Sequence, residues 1–260
     1  MPKLKLPYYT FLHSQIPEEA RHRNFYDSSE FEWTKNVEAN FEIIQKEFAI
    51  FLEKESHQLQ SYFASEMVNS PNKWKTIGFY FWGLRDEKNC ESCNESFKIF
   101  DKIPGLVSVS LSLMEPDYVI KGHYGDTDAI YRCHLPLVAP GKLPEIGFQV
   151  GKEQQSWERG KLMIFNDAAY HTGWNKTNER RIVLMLDIIK KEYLPQKIWI
   201  CSMVLSSLAL KKNYNISSEN KKSIFYKSFL YVYALYVWFY FSLINPRSFR
   251  YKPTNSVKSK

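Results

Sequence analysis

The segment Leu106-Val107-Ser108-Val109-Ser110-Leu111-Ser112-Leu113-Met114 alternates apolar and polar side chains along its length. Successive side chains of a strand point to opposite faces, so this pattern predicts a half-buried strand. Downstream, Tyr131–Val138, Ile146–Val150, Lys161–Phe165 and Arg181–Ile188 read as further short strands. Turn-forming pairs separate them: Pro116-Asp117, Gly125-Asp126, Pro140-Gly141 and Asn166-Asp167. Short strands between regular turn signals predict a sandwich or barrel.

Upstream, residues ~36–55 place Phe41, Ile44, Phe48, Phe51 and Leu52 at spacings of three and four, with Glu, Gln and Lys between them. A helix covering the outside of the sheet is expected there. Trp74 to Trp82 is aromatic-rich and ends at Gly83. After ~190 the pattern changes: Ile198–Leu210 is short and apolar, and Phe229–Ile244 is uncharged and rich in Tyr, Phe and Trp. Lys227 precedes that run, and Arg247, Arg250 and Lys252 follow it. Spanning a bilayer takes about 20 apolar residues. The run is shorter, and its tyrosines would sit deep in lipid. A membrane-associated helix and a buried or partner-facing helix stand level. The expected organisation is an N-terminal helical flank (1–73), a β core (74–195) and a C-terminal hydrophobic and basic extension (196–260). No internal repeat or low-complexity tract is present.

Hydrophobic residues make up 44% of the 260 and charged residues 24%, the balance of a folded chain, which excludes disorder as the default. A formal charge of +7 suits nucleic acid, an anionic membrane surface or acidic substrates. The basic residues are spread along the chain and cluster mainly in the C-terminal third, so Lys-rich tails account for the charge and nucleic acid is not an expected partner. Cys90 and Cys93 form a single CxxC. A structural zinc site needs four ligands, so the pair reads as a loop feature, either a local disulfide or reduced thiols. The N-terminus, Met1 to Pro7, lacks the apolar core of a signal peptide. A cytoplasmic protein is expected, with membrane association through 229–244 as the open point.

Three of the six histidines lie between Gly122 and Arg181. Non-haem Fe(II) oxygenases hold iron with two histidines, usually plus one carboxylate. A jelly roll brings distant strands together, so His123 and His171 can reach one metal. The usual carboxylate two residues after the first histidine is replaced by Gly125. Asp126 and Asp167 lie near enough in sequence to support the metal through a water. A dicarboxylate cosubstrate needs a buried cation, and arginine suits it because its planar fork donates two parallel hydrogen bonds. Arg181 is the better candidate, on a strand face with Val183 and Met185; Arg132 shares a face with His134, and Ser112 with Met114.

At this point the sequence resembles the aspartyl/asparaginyl β-hydroxylase family. The matching residues are Trp74 through Gly83, Ser112 to Pro116, His123-Tyr124-Gly125, Arg132 to Leu135, Trp157 to Lys161, Phe165-Asn166-Asp167, His171 and Arg181. The resemblance implies a mainly β fold with flanking α, a double-stranded β-helix (jelly roll, cupin-like) with a helical C-terminal extension. It implies Fe(II), 2-oxoglutarate and O2. His123 and His171 would be the iron ligands. Arg181 would clamp the distal carboxylate of 2-oxoglutarate, with Trp74, Ser112, Met114, Arg132 and His134 lining the same pocket. Gly125 then agrees with the vertebrate-type enzymes, whereas the related lipid A acyl-chain hydroxylases resemble carboxylate-bearing ones.

The implied reaction is hydroxylation of an unactivated C–H, first of a peptidyl Asp or Asn β-carbon or a related small substrate. The basic aromatic tail favours a lipid acyl chain instead. A non-catalytic cupin-like metal-binding protein and a halogenase are further alternatives.

Overall fold

Strand β5 (Leu106–Met114) sorts its side chains by parity, as the alternation predicts. Val109, Leu111 and Leu113 face a core shared with helices, and Ser108, Ser110 and Ser112 face the interior between two sheets. The computed structural model describes residues 5–13, 23–62, 64, 67–214 and 223–244. In chain order the remaining strands are β1 (Phe25–Tyr26), β2 (Gln60–Ser61), β3 (Trp74–Phe81), β4 (Leu84–Arg85), β6 (Tyr118–Val119), β7 (Ile130–Val138), β8 (Ile146–Val150), β9 (Glu153–Gln155), β10 (Met163–Phe165), β11 (His171–Asn175) and β12 (Arg181–Ile189).

The larger sheet has eight strands, ordered β1-β10-β7-β12-β5-β3-β2, with β4 paired to β3. The smaller is ordered β6-β11-β8-β9. All pairings are antiparallel. From β5 to β12 the chain alternates between the sheets except at the β8–β9 hairpin, so strands far apart in sequence become neighbours. This is the double-stranded β-helix, or jelly roll. Two short strands that pair into the larger sheet, β1 and β2, come from the N-terminal 73 residues.

The expected helix over 36–55 is two helices, α1 (Glu32–Ala39) and α2 (Phe41–Glu55), broken at Asn40. The Asn40 side chain donates to the Asn36 carbonyl at 2.7 Å, a local bond that competes with helix continuation. Phe41, Ile44, Phe48 and Phe51 form the buried stripe of α2 and pack on Phe79, Phe97 and Phe100. Helices α3 (Glu87–Ser92) and α4 (Asn94–Phe100) complete that layer. Cys90 lies within α3 and Cys93 caps it, both buried and unlinked, so the CxxC is helical rather than a loop. Burial raises both thiols to about 12, which makes them unreactive.

Helix α5 (Lys197–Tyr214) buries Ile200, Cys201, Met203 and Val204 against Trp82, Val107, Ile189 and Tyr193, closing one end of the barrel. Helix α6 (Ile224–Phe239) packs on it through Tyr226, Leu230 and Ala234, and a π-helical turn follows at Tyr240–Ile244. No helix among the described residues is long and apolar enough to cross a membrane.

Phe48 is fully buried, with ring centroids 5.0 Å from Phe79 and 6.4 Å from Phe100. Phe48→Ala is expected to lose about 3–5 kcal/mol of unfolding free energy by leaving a cavity between α2 and the sheet. Denaturant titration checks this; a loss under about 1 kcal/mol would mean that the helical layer contributes little to the fold.

Candidate active site

His123 follows β6, and His171 is the first residue of β11 rather than part of a turn. Their main chains form an isolated antiparallel bridge. The His123 N–H donates to the His171 carbonyl at 3.0 Å, and the His171 N–H to the His123 carbonyl at 2.8 Å. The ring centroids are 4.2 Å apart. Each Nδ1 lies 2.8 Å from a backbone carbonyl, Lys121 for His123 and Ala169 for His171. A carbonyl can only accept, so each Nδ1 carries a proton and donates to it. Desolvation, then the neighbouring His123, holds His171 well below the ordinary imidazole range, so its ring is neutral. Neutral imidazoles presenting Nε2 with Nδ1 bonded to a carbonyl have the tautomer that binds metals. Among the described residues, no cluster of three or more His, Cys, Asp or Glu side chains is arranged to hold a metal.

The glycine two places after His123 has a packing reason. A Cβ on Gly125 would lie 1.8 Å from Oδ2 of Asp167. The Asp167 carboxylate fills the volume that a side chain at 125 would need. It is fully buried, 4.0 Å from Nε2 of His171 and 2.6 Å from Nη1 of Arg132. Burial raises its pKa against the pull of Arg132. The rest of the Arg132 guanidinium is bidentate on Asp187, at 2.7 and 3.0 Å. Arg132 thus ties β7 to β12 and to the turn before β11, and both its ion-pair partners are protein carboxylates.

Arg181 differs. It is 1% exposed, and no carboxylate pairs with it among the described residues. Its Nη1 donates to the carbonyl and Oγ of Ser112, both at 3.3 Å, and its Nε has no hydrogen-bond partner. The Trp157 ring covers the guanidinium at 4.8 Å. Desolvation pushes the pKa down to about 9, so the group is still cationic at neutral pH. An unpaired buried charge is expensive, and no protein anion among the described residues offsets this one.

His134 stands beside it on the inner face of β7. The Trp157 indole donates to His134 Nδ1 at 3.1 Å, which leaves the proton on Nε2. Desolvation first, then Arg181 and Arg132, keep this imidazole neutral. Trp74 donates to Ser112 Oγ at 3.0 Å and stacks on Tyr62 at 3.8 Å.

A cavity of about 230 Å³ connects these groups. Trp74, Ser112, His123, Arg132, His134, His171 and Arg181 all line it. Met114 does not; it is packed with Trp74, Tyr118 and Ile120 in a small apolar cluster. By strand register, Arg181 opposes Met114 and Asp187 opposes Ser108, so the cavity runs along β5 and β12. Its end away from Arg181 is bounded by Trp82, Ser108 and Leu208 of α5.

Sequence reasoning passed over Asp187, Trp157 and Tyr62 as site residues. Asp187 had a signal: an acidic side chain sharing the strand face of Arg181, Val183 and Met185. Trp157 and Tyr62 lie outside the strands, and no local pattern aims them at the cavity.

The chain is similar to the ornithine lipid ester-linked acyl 2-hydroxylase of Rhizobium tropici, with 29% identity over 168 residues, 64% of this chain and 60% of that protein. It is also similar to the human aspartyl/asparaginyl beta-hydroxylase, with 27% identity over 173 residues, 64% of this chain and 22% of that protein. The chain therefore spans less than two thirds of the length of either relative. The 2-oxoglutarate complex of a viral collagen prolyl hydroxylase from Paramecium bursaria Chlorella virus-1 aligns at a TM-score of 0.36 with 12% identity, over 55% of this chain and 90% of that one; the fold assignment rests on the strand order above instead. The family model described as aspartyl/asparaginyl beta-hydroxylase matches residues 38–191 of the 260, and the chain belongs to that family.

Proposed function

We propose that this chain is an Fe(II)- and 2-oxoglutarate-dependent hydroxylase. The observation that carries the reading is Arg181: a fully buried guanidinium without a carboxylate partner among the described residues, in one cavity with two imidazoles that each turn Nδ1 to a backbone carbonyl. An anion-seeking cation and a metal-seeking histidine pair in the same cavity match the two ends of a keto-dicarboxylate.

When bound, Fe(II) with 2-oxoglutarate supplies the activation of O2 and the oxidation of an unactivated C–H, with succinate and CO2 as co-products. His123 and His171 would hold the metal through Nε2, each ring fixed by its carbonyl partner. Arg181, the Ser112 hydroxyl and the Nε2–H of His134 would hold the distal carboxylate. Trp157 covers the guanidinium and sets the His134 tautomer. Phe148 and Phe165, both against His171 and His134, keep water from the metal-facing side. The Asp167 carboxylate would balance a divalent cation from the volume above Gly125. The same carboxylate fills the volume beside Gly125 and is already paired with Arg132, which leaves no open position there for chloride and counts against halogenation.

The substrate that follows from the family name is a peptidyl Asp or Asn side chain. A lipid acyl chain is the second reading, favoured by the exposed apolar side chains of α6, which packs on the helix whose Leu208 lines the cavity.

His123→Ala and His171→Ala are each expected to abolish 2-oxoglutarate turnover to succinate and to weaken Fe(II) binding by about tenfold or more. Wild-type iron affinity in either variant would remove the ligand assignment. Arg181→Ala is expected mainly to raise the 2-oxoglutarate requirement, since loss of a buried charge-assisted pair costs about 2–5 kcal/mol. An unchanged cosubstrate dependence refutes its role. A Cβ on Gly78 would meet nothing within 4 Å, so Gly78→Leu is expected to fill the substrate side while the fold persists. Oxygenated product in a cell extract, followed by mass spectrometry, should fall while succinate formation continues. Parallel loss of both would place Gly78 at the cosubstrate instead.

A further inference from the structure

Helix α6 presents an exposed apolar surface. Phe225, Phe229, Val232, Tyr236 and Phe239 recur at spacings of four and three, and Leu243 continues the series in the π-helical turn. They form one stripe along the helix. Their exposures run from 52% to 83%. The opposite stripe, Tyr226, Leu230 and Ala234, is buried in the cluster built on α5. The helix is apolar on both faces, one packed on α5 and the other exposed. Exposed apolar surface of this extent marks an interaction site.

Charge identifies the occupant. Between residues 220 and 260 the sequence holds eight lysines and arginines and no aspartate or glutamate. Lys211 and Lys212 add two more positive charges in the last turn of α5. A second copy of this chain would bring the same positive segment against itself and be repelled. An anionic bilayer surface complements it. Tyrosine, tryptophan and phenylalanine with flanking lysine and arginine is the composition of helices that lie in the headgroup region. One face of α6 is fixed on the protein, so the helix lies on the bilayer rather than across it, in keeping with the absence of any membrane-crossing helix among the described residues.

We infer that the exposed face of α6 is a docking surface for an anionic lipid bilayer. Leu208, on the helix that carries α6, bounds the cavity end opposite Arg181. The inference stands on α6 and its charge, independently of the iron reading, and its test reads binding rather than turnover.

The full chain is sedimented with phosphatidylcholine vesicles with and without added phosphatidylglycerol. Binding is expected to rise with the anionic lipid and to fall with salt. A Phe225→Ser/Phe229→Ser/Tyr236→Ser variant is expected to lose about tenfold or more of that binding. These side chains are exposed, so its thermal unfolding should match the parent, and circular dichroism verifies this. A Lys227→Glu/Arg247→Glu/Arg250→Glu variant should lose the preference for anionic lipid while keeping the fold. Absence of binding to either vesicle overturns the inference, as does binding that survives the triple serine variant. A concentration-dependent dimer that the serine variant abolishes would also overturn it, assigning the face to a second copy.

Discussion

The reciprocal main-chain bonds between His123 and His171 are the constraint on which the site depends. Two residues 48 positions apart exchange both of their backbone hydrogen bonds, so their Cα positions are fixed relative to each other before any side chain is considered. Each ring is then oriented by the carbonyl of the residue two places before it. The geometry of the pair is a backbone property. Backbone ladders give way less easily than side-chain rotamers, so the two rings are held closely relative to each other.

The strand face that points inward is built differently from the one that points out. Outward, Leu, Val and Phe side chains of β3, β5, β7 and β12 pack on α2 and α4. Inward, β5 carries serines and β3 carries Thr76 and Gly78. Small and hydroxyl-bearing side chains leave the interior open, where larger ones would have filled it. The charges placed there are of two kinds. Arg132 is neutralised by Asp167 and Asp187 and serves as a brace. Arg181 adjoins Ser112 and the Trp157 ring and has no carboxylate partner among the described residues. Two buried arginines on neighbouring strands thus differ, one internally neutralised and the other not.

The alternation of 106–114 and the turn pairs after it made the β core legible in the sequence, and the parity of Arg132 with His134 and of Ser112 with Met114 is observed on the strands. Other features were not legible. The break at Asn40 depends on a side chain bonding its own backbone, which hydrophobic periodicity does not report. The inner position of Met114 was correct in parity, but its side chain is taken up by an apolar cluster with Trp74, Tyr118 and Ile120 and does not line the cavity. The pairing of Arg132 with two carboxylates required knowing that the turn before His171 folds back toward β7. Long-range register of this kind has no local signature.

The interlock between Gly125 and Asp167 has a consequence for how this site can change. Adding even a methyl group at 125 meets an occupied volume, and shortening the residue at 167 alone opens a buried hole beside an arginine. Neither position is free to vary while the other stays as it is. On the proposed two-histidine reading, a three-ligand descendant would therefore have to pass through paired replacement, which makes the two positions epistatic.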